Sequence, residues 1–193
     1  MLDDIKKKLE LLNEVKESDK DIIKSADDFI KVVSYLDAKK KAAVIESLKG
    51  NLHNIIKSAD NFIKVGHYLD AKRKAAVIES LKGNLHNIIK SADDFIKVII
   101  FLDAEQKAAV VEYLNGNLKN IIKSADDFIK VVRSLDAEQK AEVVESLKGD
   151  FNNIIKSRYD FKDVIYHLNA EQITVVCEFL KDNLHNIIES ADD

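Results

Sequence analysis

Lys57-Ser58-Ala59-Asp60-Asn61-Phe62-Ile63-Lys64-Val65, a break at Leu69-Asp70, and Ala71-Lys72-Arg73-Lys74-Ala75-Ala76-Val77 carry the reading of the whole chain. Ser58 stands ahead of an acidic first turn. A serine N-cap satisfies an orphaned backbone N–H, and acidic residues complement the positive end of the helix dipole. The spacing predicts a first helix over roughly residues 59–67, with Ala59, Phe62, Ile63 and Gly66 on one face. Asp70 is the next N-cap. In later copies Asp103-Ala104-Glu105-Gln106 and Asp136-Ala137-Glu138-Gln139 place Gln three residues after the cap, which is the spacing of a capping box. A second helix starts there. In the copy before, it carries Ala42, Ala43, Val44, Ile45 and Leu48, then Leu52, Ile55 and Ile56. That apolar band covers more than one face, as a helix packed between two neighbours requires. Gly50, Gly83, Gly116 and Gly149 interrupt this helix, and Asp182 takes the last matching place. Glycine here either ends the helix, with Asn as the next N-cap, or permits a kink in one long helix. Both readings stay open.

The same string recurs. Lys-Ser-Ala-Asp begins at Lys24, Lys57, Lys90 and Lys123, and Lys156-Ser157 and Glu189-Ser190-Ala191-Asp192 keep the phase, in steps of 33 residues without insertion or deletion. Five copies follow, at 24–56, 57–89, 90–122, 123–155 and 156–188, and residues 189–193 begin a truncated sixth. Segments 37–69 and 70–102 are identical at 28 of 33 positions. A helical hairpin cannot bury its apolar face alone, so stacked copies make an α-solenoid. The expected fold is all-α: a right-handed α-solenoid of five 33-residue helical-hairpin repeats. Residues 1–23, with Leu2, Ile5, Leu9, Leu12 and Val15 at helical spacing, read as an N-terminal capping helix.

Composition agrees. The chain has 193 residues, 46% hydrophobic and 33% charged, which is enough apolar material to exclude a wholly disordered chain. There is no proline and only five glycines, too few turn residues for an all-β fold. The longest apolar run is Val98 to Leu102, far short of a membrane span, and Met1-Leu2-Asp3-Asp4 lacks the order of a secretory signal. A single Cys177 excludes an internal disulfide framework and fits a reducing compartment, hence a cytoplasmic location.

In the frame from Lys57, the short first helix, the loop near Tyr68-Leu69-Asp70, the frequent Gln after it (Gln106, Gln139, Gln172) and the longer second helix resemble the repeats of transcription-activator-like effectors. The likeness is nearest to divergent bacterial members with 33-residue units. The copies are also similar to helical tandem repeats of secreted effectors from intracellular bacteria, which would place the chain inside a host cell. The effector resemblance implies a DNA-binding superhelix that reads one base per repeat. The reading position would fall on Leu36, Leu69, Leu102, Leu135 and Leu168, a row with no base code. Where that family has glycine beside the phosphates, this chain has Asp37, Asp70, Asp103, Asp136 and Asn169, and carboxylates there oppose binding. Nucleic acid is therefore a disfavoured partner, and a protein or peptide is the expected one.

Variation between copies concentrates at the end of the first helix: Ser34-Tyr35, His67-Tyr68, Ile100-Phe101, Arg133-Ser134 and Tyr166-His167. A stripe of changing Tyr, His, Phe and Arg has the chemistry of binding anchors. Charge also drifts. Segment 37–69 has six basic and three acidic residues, net +3, whereas segment 169–193 has one and six, net −5. Lys39, Lys40, Lys41, Lys72, Arg73 and Lys74 form a candidate basic patch, set in first helical turns where positive charge is unfavourable. His53, His86 and His185 share one repeat position, but Lys119 and Asn152 interrupt the row, and ligands spaced by whole repeats do not converge on zinc. Cys177 replaces Ile45, Ile78, Val111 and Val144 and reads as a buried, inert thiol. No catalytic constellation, phosphate-binding loop, metal site or cofactor site is readable, so a non-enzymatic binding scaffold is the expectation.

Overall fold

The computed structural model describes residues 23–189, and all regular structure among them is helical. The expected capping helix and the start of the sixth copy lie outside the described residues, apart from Ile23 and Glu189 at their edges. The chain divides into two units, one ending at Ile88 and the other beginning at Ile89.

The first unit contains α1 (Ala26–Val33), α2 (Ala38–Leu48), α3 (Leu52–Ile55), α4 (Ala59–Gly66), α5 (Ala71–Leu81) and α6 (Leu85–Ile88). The second contains α7 (Ala92–Ile99), α8 (Ala104–Leu114), α9 (Leu118–Ile121), α10 (Ala125–Arg133), α11 (Ala137–Leu147), α12 (Phe151–Ile154), α13 (Arg158–Tyr166), α14 (Ala170–Leu180) and α15 (Leu184–Glu189). In the first unit α1 packs on α4 and α2 on α5. In the second, α10 packs between α7 and α13, and α11 between α8 and α14. First helices thus pack on first helices and second on second, while α3, α9 and α12 pack on the second helices that follow, α5, α11 and α14.

Local chemistry accounts for the boundaries. Ser25, Ser58, Ser91, Ser124 and Ser157 sit in extended backbone, and each side chain accepts from the N–H three residues on. Asp37, Asp70, Asp103, Asp136 and Asn169 do the same for the second helices. The backbone N–H groups of Lys40 and Arg73 hold the carboxyls of Asp37 and Asp70 below their ordinary range.

The glycine question resolves into three helices per copy. The second helix stops at Leu48, Leu81, Leu114 or Leu147. A turn or a 3₁₀ step follows (Lys82–Asn84, Asn115–Asn117, Lys148–Asp150), and then a four-residue helix. Asn51 does not cap that helix through its side chain as expected. Its amide oxygen instead accepts from the Asn54 side chain. Only Gly116, at φ 49°, is in the left-handed region. A Cβ at Gly83 meets nothing within 4 Å. Glycine is therefore not demanded at that step, and Asp182 fits the matching place.

The core of each unit is built of Phe, Leu, Ile and Val. Phe29, Phe95 and Phe128 are fully buried, as are Leu52, Leu85 and Leu118 at the start of the short third helices. The Phe128 and Phe151 rings meet edge-on at 5.9 Å. Three expectations need correction. In α4 the buried residues are Ala59, Phe62, Val65 and Gly66, and Ile63 is only half-buried. In α2 and α5, Ala42, Ala43, Ala75 and Ala76 are exposed, because the band that packs is Val44, Ile45, Leu48 and its equivalents. Cys177 is half-buried rather than buried. Its equivalent Val144 is buried and lines the groove between α11 and α14.

Candidate functional site

The varied pairs all fall where the first helices end. Ser34 and Tyr35 follow α1, His67 and Tyr68 follow α4, and Ile100 and Phe101 follow α7. Arg133 and Tyr166 are the last residues of α10 and α13, with Ser134 and His167 next. In each unit these helices pack side by side in the same sense, so their variable ends are neighbours: two pairs in the first unit, three in the second. Large side chains reach solvent there. Tyr35 is 72% exposed, Tyr68 43%, Ile100 69% and Tyr166 83%. Ser34, His67 and Arg133 are exposed as well, while Phe101, Ser134 and His167 are half-buried. The most prominent residue is thus the second of each pair in the first unit and the first of each pair in the second. In the second unit Ile100, not Phe101, is the outward residue.

A buttress lies beneath the stripe. Lys41 Nζ donates to the Tyr68 carbonyl at 2.7 Å, Lys107 to that of Ser134 at 3.4 Å and Lys140 to that of His167 at 3.1 Å. A lysine on α2, α8 and α11 therefore reaches 27 residues ahead and caps the carbonyl end of the next first helix, where the dipole is negative. The Tyr166 and His167 rings meet edge-on at 5.1 Å. Burial lowers the His167 pKa from its ordinary value, and the nearby charges of Arg133 and Lys140 lower it further.

The expected basic patch is partly structural. Arg73 Nε donates to the Ala38 carbonyl at 2.7 Å, and its guanidinium also binds the Asp70 carboxylate. Lys41 is engaged beneath Tyr68. Lys74 occupies the same repeat position as Lys41. Lys39, Lys40 and Lys72 remain as exposed cations. Sequence reasoning missed the matching role of glutamine. The Gln139 and Gln172 amides are buried and donate to the carbonyls of Ala104 and Ala137 at 3.2 and 2.9 Å. Their oxygens accept from the N–H of their own N-caps, Asp136 and Asn169, at 3.4 and 3.1 Å. One amide completes a capping box and ties a helix to the copy 35 residues back. The signal available was that a polar residue recurred just after each cap, with Arg73 in the same place.

Three of the row of leucines are packed, Leu69, Leu102 and Leu135 at 7% exposure each, and Leu36 and Leu168 are half-buried. His53, His86 and His185 are exposed. Among the described residues no three His, Cys, Asp or Glu side chains converge on a point that could hold a metal ion, and no helix is long and apolar enough to cross a membrane.

α11 and α14 leave a groove of about 480 Å³, floored by Ala141, Val144 and Val175 and edged by Glu138, Glu145 and Glu171. Beside it, burial raises the Glu142 carboxyl above its ordinary pKa, and Glu112 and Glu138 raise it further. No protein-family model matches the chain, and no curated protein matches it.

Proposed function

We propose that this chain is a non-enzymatic binding scaffold. It would be a right-handed α-solenoid of five 33-residue repeats that engages a protein or peptide through the ends of its first helices. One observation carries the reading. The place where near-identical copies differ most is also where large side chains stand in solvent, Tyr35 at 72% and Tyr166 at 83% exposure. Aromatic and arginine side chains are the usual energetic anchors of interfaces, and a lysine-capped helix end holds them on a rigid base. A cytoplasmic setting, in a bacterium or in a host cell, follows from the single Cys177 and from the resemblance to effector repeats.

The DNA-reading alternative has less support. Three of its reading positions, Leu69, Leu102 and Leu135, are packed, and Asp37, Asp70, Asp103 and Asp136 are occupied as N-caps. A partner captured from lysate should lose affinity by more than about tenfold when Tyr35, Tyr68, Ile100 and Tyr166 are all changed to Ala, with melting unchanged. Equal retention by the variant overturns the reading. Tight binding of random duplex DNA at low salt, weakening steeply as salt rises, would favour the alternative.

A further inference from the structure

Two equivalent rim positions of the two units carry opposite charge, Glu138 and Glu171 against Lys39 and Lys72, while Glu46 keeps the sign of Glu145. The groove on α11 and α14 has Glu138 and Glu171 on its rim and Ala141 and Val175 on its floor. Three copies earlier, on α2 and α5, the same positions are Lys39 and Lys72, Ala42 and Ala76. α2 and α5 pack side by side as α11 and α14 do. Lys39, Lys72, Glu138 and Glu171 are all exposed, and Ala42, Ala43, Ala75 and Ala76 are exposed small residues one helical turn beyond the lysines.

Each face is electrostatically unfavourable alone. The lysines sit in first helical turns, against the dipole. The glutamates line one groove, and beside it Glu138 adds to burial and to Glu112 in raising the Glu142 carboxyl above its ordinary pKa. Like charges held together on a rigid face are relieved by a complementary one.

We propose that the acidic groove of α11 and α14 on one copy receives the basic, alanine-lined face of α2 and α5 on a second copy. The second copy is the occupant favoured by the charge and by the spacing. Lys39 and Lys72 stand at the repeat positions of Glu138 and Glu171, on equivalently packed helices, so the two rows of charge share one pitch. The contact joins two different faces and is therefore heterologous. None of the stripe residues belongs to either face, so this association is separate from partner binding.

The test is sedimentation velocity on the full chain at about 20 mM and about 500 mM salt, conditions chosen on either side of strong screening. The expected result is an average mass above one chain at low salt that falls to one chain at high salt. Lys39→Glu/Lys72→Glu and Glu138→Lys/Glu171→Lys should each weaken association by about tenfold or more. An equimolar mixture of the two should associate again, because each supplies the charge that the other lacks. Circular dichroism checks that both variants fold. If either does not, its neutral counterpart, Lys39→Gln/Lys72→Gln or Glu138→Gln/Glu171→Gln, replaces it. The replacement should likewise weaken association, and mixing a face variant with a groove variant should still restore it, because one wild-type groove and one wild-type basic face remain. A wild-type chain that stays monomeric at low salt overturns the proposal, even if its groove binds a polylysine probe. So does association indifferent to either charge reversal, or a folded mixture that stays monomeric.

Discussion

In α2 and α5 the second residue of each helix is lysine, Lys39 and Lys72; in α11 and α14 it is glutamate, Glu138 and Glu171. Around these residues little else changes. Both pairs begin at an N-cap whose side chain takes the N–H three residues on. In both, the later helix donates a hydrogen bond to the first carbonyl of the earlier one, from Arg73 in the first unit and from Gln172 in the second. Both bury a valine and the closing leucine: Val44 and Leu48, Val77 and Leu81, Val143 and Leu147, Val176 and Leu180. The residue after the valine is buried in α2, α5 and α11 and is the half-buried Cys177 in α14. The architecture therefore constrains the cap, the donor and the core, and leaves the neighbouring outward position free to take either sign. The glutamates suit the helix dipole and the lysines do not, so the basic face is the one that local stability fails to explain.

The first way to break this comparison is at its shared core. Phe62→Ala in the first unit and Phe128→Ala in the second should each cost about 3–5 kcal/mol in urea unfolding. Phe128 should cost more, by about 0.5–1.5 kcal/mol, because only its ring loses the edge-on partner Phe151. If Phe62→Ala costs little, the two units are not built alike.

The donor position sharpens it further. Gln139→Leu leaves the Ala104 carbonyl and the Asp136 N–H without this partner and should cost about 1–3 kcal/mol. Gln139→Arg should keep most of that stability, since Arg73 makes the equivalent bond in the first unit. Equal losses in the two variants would mean that the donor is incidental.

Charge at the second helical residue should matter less. Lys72→Glu is expected to raise stability by about 0.3–1 kcal/mol at low salt, measured at concentrations dilute enough for single chains. The smallest effect is at Glu142. Burial raises its folded pKa, so the ionised carboxylate destabilises the fold at neutral pH, and protonation removes that cost. Glu142→Gln should therefore gain at most about 0.5 kcal/mol at neutral pH. The gain should disappear as pH falls through the raised folded value and below the ordinary 4.5. A gain that persists in acid would assign the effect to something other than the charge.

Much of this was legible in the residues. Ser58 and Asp70 announced helix starts, because N-capping is decided within three residues of sequence. Phe62 and Leu69 announced burial through helical spacing. Long-range bonds were not legible. Arg73 reads as one more cation beside Lys72 until its guanidinium is found at a carbonyl 35 residues away, and Lys41 likewise until it is found beneath Tyr68. Gln139 reads as a local cap, since its second bond depends on how copies stack. Ala42 and Ala76 read as core because they are apolar, yet their small side chains lie on the outward side of a helix already anchored by Val44 or Val77. The varied stripe was found by comparing copies, which shows where residues differ but not which one of each pair points outward.

The bond between copies has an asymmetry with an evolutionary consequence. Its donor is a side chain, Arg73, Gln139 or Gln172, but its acceptor is main chain, the carbonyl of Ala38, Ala104 or Ala137. Point mutation can abolish the donor and cannot delete the acceptor. Any copy carrying a competent donor can therefore be spliced behind any other without a matching change upstream. Unequal crossing-over in the gene would then yield longer or shorter arrays that are joined correctly from the first generation, and the invariant 33-residue phase is the mark such a process would leave.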